Sequence, residues 1–100
     1  MAVADNANQM PTDRDIRAAE EAMVVVPIAP GMYEVYSGTQ AKYLVDVVEG
    51  ACECDDMYWN DPEDGCKHVR RVRQTLGLDP IPEGVRRVDP TLPKQRRQSR

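Results

Sequence analysis

All three cysteines and the only histidine of this 100-residue chain lie between Cys52 and His68. They form two tight pairs, Cys52-Glu53-Cys54 and Cys66-Lys67-His68, with the eleven residues 55–65 between them. With 41% hydrophobic residues the chain can bury a small core only, so a staple is expected. Three cysteines cannot all pair within one chain, and a reducing compartment keeps them as thiols, so metal is favoured over a disulfide framework. Three thiolates and one imidazole complete the tetrahedral shell of a structural zinc. Iron–sulfur clusters normally use four cysteines, which makes iron the weaker choice. A closed shell leaves no exchangeable position for water, so the chain is expected not to be an enzyme at this metal. His68 alone would read as an ordinary histidine; its spacing from Cys66 makes it a ligand.

The flanking residues say how the two pairs are presented. Residues at i and i+2 of an extended segment point the same way, which suits Cys52 and Cys54. The same spacing inside a regular helix would separate Cys66 and His68 by about 200°, so that pair belongs at a helix entrance. Gly65 permits the tight approach, and Val69, Val72 and Leu76 form a helical stripe that stops near Gly77. A helix over about residues 67–76 follows, with Cys66 at its positive end, where thiolate is favoured. Upstream, Thr12 or Asp13 caps a helix with Asp15 in capping-box spacing and an Ile16, Ala19, Met23 stripe. Pro27 and Pro30 make Val24 to Pro30 an extended connector. Met32 to Ser37 and Ala41 to Val48 read as two strands joined at Gly38-Thr39-Gln40. Tyr33 and Val35 fall on one face of the first, and Tyr43, Val45 and Val47 on one face of the second.

The pattern Cys52-x-Cys54, eleven residues, Cys66-x-His68 resembles the SWIM-type zinc finger. Tyr43-Leu44-Val45-Asp46 looks like the family's preceding strand, and Val69 like the apolar residue after its last pair. The likeness covers about residues 32–76 and is similar in particular to small stand-alone SWIM proteins of halophilic archaea. It implies a ββα finger around one structural zinc and a role in binding DNA or other proteins. The fold expected is therefore small α+β: an N-terminal helix, a β-hairpin and a short helix around zinc, with a disordered basic tail. Residues 1–11 are expected to be a flexible leader, 12–78 the finger domain with its zinc core at about 32–76, and 79–100 a Pro-rich basic tail, mostly disordered.

Charge is divided along the chain. Residues 1–65 carry fourteen acids and three bases, a net of -11, whereas residues 66–100 carry ten bases and three acids, a net of +7. Ten of the thirteen basic residues are Arg, a balance that resembles salt-adapted proteins. Nucleic-acid association is the expected function, through the basic tail and the helix cations Lys67, Arg70, Arg71 and Arg73 as candidates for phosphate contact with DNA or RNA. The alternative is a protein-interaction adaptor using the acidic, aromatic spacer; such a basic face can also simply pair with the chain's own acids. The acidic spacer would repel a phosphate backbone. Its Tyr58 and Trp59 are candidates for a protein partner, although burial of Trp59 as a roof over the zinc site is the stronger expectation. No apolar run approaches the roughly 18 residues of a membrane helix, and the N-terminal residues lack a secretory pattern. A cytoplasmic location is expected.

Overall fold

The computed structural model describes residues 12–98 apart from Thr39; the expected leader at 1–11 lies outside them. Thr12 starts the first helix, α1 (Asp13–Glu20), with its hydroxyl accepting from the Asp15 N–H while the Asp15 carboxylate accepts from the Thr12 N–H. This reciprocal cap stabilises by about 1 kcal/mol. The helix ends at Glu20, so Ala18 and Ala19 are its buried residues and Met23 belongs to the next element.

That element corrects the expected connector. Strand β1 (Met23–Ala29) pairs antiparallel with β2 (Met32–Ser37), which pairs with β3 (Ala41–Asp46), which pairs with the two-residue β4 (Ala51–Cys52). Pro27 is accommodated because β1 is an edge strand. The backbone groups of Met23 and Val25 face outward, and Pro27 shares their parity, so its missing donor costs no ladder bond. β3 stops at Asp46, short of the expected Val48. The Asp46 carboxylate accepts from the Val48 and Glu49 N–H groups at 3.0 and 3.1 Å and turns the chain.

The inner sheet face carries Met23, Val25, Val35 and Val45, with Tyr33 and Val47 at its margin. Against it lies α3 (Lys67–Leu76), whose Val69 and Val72 complete the core. α3 ends in the left-handed Gly77, with Gly77 N–H bonded to Gln74 and Leu78 N–H to Arg73. A short helix, α2 (Asp55–Asn60), occupies the spacer between the Cys52-x-Cys54 and Cys66-x-His68 pairs.

The C-terminal segment is the second correction. In place of a mostly disordered tail, Thr91–Gln98 forms helix α4, with Leu92 fully buried. Pro93 falls in its first turn, where backbone donors have no helical acceptor, so the proline that read as disorder is compatible with a helix start. Side chains of this segment also close the free edge of β1. The Gln95 amide donates to Val25 O at 2.8 Å and accepts from Val25 N at 3.2 Å, and Asp89 accepts from Met23 N at 3.1 Å. An open edge of unpaired donors and acceptors is thereby covered.

Arg71 joins the layers. Its guanidinium donates to the carbonyls of Ala18 and Glu21 at the end of α1, to Met23 O on β1, to the Asp89 carboxylate and to Thr91 Oγ1. Burial pushes the Asp89 carboxyl up, but hydrogen bonds from Arg71, Thr91 and Met23 N outweigh it and hold Asp89 below its ordinary value. Asp15 is likewise lowered, its burial outweighed by the Thr12 N–H and Arg70. Groups more acidic folded than unfolded stabilise fully above their unfolded value of about 3.9, and that stabilisation is lost as pH falls through the folded values. Thermal melts below about pH 4 are therefore expected to lose stability more steeply for the native chain than for Asp89→Asn. Equal slopes would contradict this.

Candidate metal centre

Each donor is placed by a different element. Pairing of Cys52 with Val45 fixes the first beside the core, and a further bond from Glu53 N to Leu44 O at 3.2 Å keeps the chain extended toward the second. Cys54 is the N-cap of α2 and Cys66 the N-cap of α3, both with extended backbone, and His68 sits in the first turn of α3. The expected arrangement of Cys-x-His at a helix entrance is what the backbone adopts. Gly65 makes it possible: its φ is +91°, and an added Cβ would lie 2.9 Å from the Val69 side chain. Gly65→Ala is expected to cost about 1–2 kcal/mol from the left-handed backbone alone, with the Val69 clash in addition. Urea denaturation checks it, and an unchanged midpoint would contradict the geometry.

The four ligand atoms lie within 4.8 Å of one another. His68 Nδ1 is 3.6 Å from Cys66 Sγ and 3.7 Å from Cys52 Sγ. Bonds of about 2.3 Å to sulfur and 2.0–2.1 Å to nitrogen give a tetrahedral S–N edge of about 3.6 Å, so Cys52, Cys66 and His68 have the spacing of a filled shell and Cys54 lies within reach of it. Cys66 and His68 are buried, whereas Cys52 and Cys54 are half-buried. The His68 ring stacks on Tyr43 with centroids 4.2 Å apart and 26° between planes.

The electrostatics favour a cation. Cys66 is pulled down to about 4 by hydrogen bonds from Cys52, His68 and the Val69 N–H. Cys52 is pushed up by its bond to Cys66 and by burial, and Cys54 is raised chiefly by burial. The four side chains by themselves thus accommodate one thiolate easily and resist the others. A divalent ion would relieve that repulsion, and these four residues could hold one.

The remaining candidates divide. The four cations of α3 are committed internally: Lys67 to Glu21 at 2.6 Å, Arg70 to Asp15 at 2.8 Å, Arg71 to Asp89, and Arg73 to Asp79 at 2.9 Å. Arg70 and Arg71 are buried. Trp59, expected as a roof over the centre, is instead 75% exposed, and Tyr58 is 77% exposed. The six-residue α2 turns both rings outward and packs Met57 against the core in their place. Sequence reasoning missed Tyr43 as the ring against His68, and it missed the bidentate Arg14–Asp56 pair, both bonds 2.8 Å, that fastens α2 to α1. Neither has a spacing signature; only the strand alternation of Tyr43 pointed inward.

Fold and cluster together define a small α+β protein with an antiparallel four-stranded sheet and a Cys3His cluster able to hold a metal ion. Comparison with protein-family models, curated proteins and solved structures finds no match to this chain. Among the described residues no helix is long and apolar enough to cross a membrane.

Proposed function

We propose that the chain is a zinc-stabilised, non-enzymatic interaction module of the SWIM type. The observation that carries the metal is the convergence of Cys52, Cys54, Cys66 and His68 within 4.8 Å of one another, with the two S–N distances to His68 at those of a tetrahedral shell. Three thiolates and an imidazole suit zinc, which as a closed centre would supply cross-linking and no bound nucleophile. The β2–β3 hairpin leading into Cys-x-Cys, with Cys-x-His opening α3, supports a ββα finger, here embedded in a larger sheet with α1 and α4.

Of the two partner classes the sequence leaves open, protein is the better supported. Phosphate contact through Lys67, Arg70, Arg71 or Arg73 would compete with the ion pairs that hold α3 in place. On α2, held by its own Arg14–Asp56 pair, the rings of Tyr58 and Trp59 are exposed and, among the described residues, bound to no other element, beside the cluster at Cys54.

Cobalt substitution tests the centre. Bound Co(II) is expected to give the intense visible bands of a tetrahedral site together with thiolate charge-transfer absorption, both abolished in Cys54→Ala. Weak octahedral bands, or bands unchanged in that variant, would reject the assignment.

A further inference from the structure

Tyr58 and Trp59 are the most solvent-exposed aromatic residues described, and they form one unit: their rings meet edge to face with centroids 4.8 Å apart at 90°. The platform beneath them is fixed. α2 starts at Cys54, bonds back to it through Tyr58 N at 3.1 Å, and is fastened to α1 by Arg14 and Asp56. Large aromatics held rigidly in water are what binding surfaces display, since little side-chain freedom remains to be lost on contact.

Charge identifies the occupant. Glu53, Asp55, Asp61, Glu63 and Asp64 flank the aromatic pair along the chain, all exposed, and none has an ion-pair partner among the described residues. The neighbouring cations are already neutralised, Arg14 by Asp56, Arg17 by Asp13 and Lys67 by Glu21. A surplus of carboxylates around exposed π faces attracts guanidinium and ammonium groups and repels phosphates. Resting on the interaction-module reading above, we infer that α2 and its acidic flanks dock a cationic, arginine- or lysine-bearing segment of a partner protein. The aromatic pair supplies the cation–π and apolar contact, and the carboxylates supply steering.

The sole tryptophan makes the test direct, because Trp59 emission reports on the surface itself. Metal-loaded full-length protein is titrated with a short oligoarginine peptide, with oligoglutamate and with duplex DNA. Metal content is measured on the same samples. Saturable change with oligoarginine alone, weakening as salt rises, is expected. Anisotropy of a labelled peptide should then show about a tenfold loss of affinity for Trp59→Ala, the size of a cation–π contact. The combined Asp61→Asn, Glu63→Gln, Asp64→Asn variant should bind more weakly and with less salt dependence. Metal-loaded protein that ignores the peptide, binds it equally well as Trp59→Ala, or binds DNA in its place overturns this inference while leaving the metal reading intact. Protein that never takes up metal overturns the metal reading instead.

Discussion

Removing the metal with a chelator is expected to lower the unfolding midpoint sharply and to loosen residues 47–66 first, with β1 to β3, α1 and α3 retaining their secondary structure. In fingers whose folding depends wholly on zinc, the ion contributes about 10–16 kcal/mol. The dependence here is smaller because the core that Cys66 shares with the site is built chiefly from Met23, Val25, Val35, Val45, Val69 and Val72, whose mutual contacts need no metal. Segment 47–66 has no comparable anchor. β4 is two residues long and α2 buries none of its residues, so besides Met57 and the Arg14–Asp56 pair it is Cys52, Cys54 and Cys66 with His68 that tie this excursion to the sheet and to α3. Amide exchange should therefore rise across 52–64 in the stripped protein, while the Val35 and Val72 amides stay protected. Cys66→Ala should reproduce the pattern with metal present. Uniform loss of protection through the sheet would contradict it, and so would none.

The second large effect is expected at Arg71. Arg71→Met removes a fully buried guanidinium that binds three carbonyls, Asp89 and Thr91. Its partner Asp89 is then left as a buried charge without a counter-ion, which costs about 3–5 kcal/mol when one member of such a pair is deleted. Paired apolar replacement is far less damaging than deletion of one partner, so Arg71→Met with Asp89→Leu should recover part of the loss. Urea denaturation at fixed metal content measures both. A single variant within about 0.5 kcal/mol of the native chain, inside the range of ordinary surface substitutions, would remove Arg71 from its place at the centre of the fold.

What the sequence disclosed, and what it hid, follows from the range of the interactions. The Thr12–Asp15 cap, the Cys66-x-His68 helix entrance and the stop at Gly77 are set within a few residues, and each appears where its local signal placed it. The errors arose where distant contacts override composition. Val24–Pro30 carries two prolines and reads as connector, yet all of it but Pro30 belongs to strand β1, whose outer edge the Asp89 and Gln95 side chains, far along the chain, satisfy. The basic tail reads as disorder, yet Leu92 inserts into the interior and Asp89 meets Arg71. Arg70 and Arg71 look like a phosphate-binding face on a helical wheel. Only the tertiary placement of Asp15 and Asp89 shows that the pairs close inward. For the candidate centre, the four residues that the fold brings together are readable from spacing, whereas the outward turn of Trp59 is not, because nothing local decides which face of a six-residue helix is covered.

Native mass spectrometry of protein isolated without added metal tests the central claim most directly. One zinc per chain is predicted, with Cys54→Ala and Cys66→Ala at the metal-free mass. Native protein at the metal-free mass, or at the mass of a disulfide-bonded form, would contradict a zinc centre built from Cys52, Cys54, Cys66 and His68.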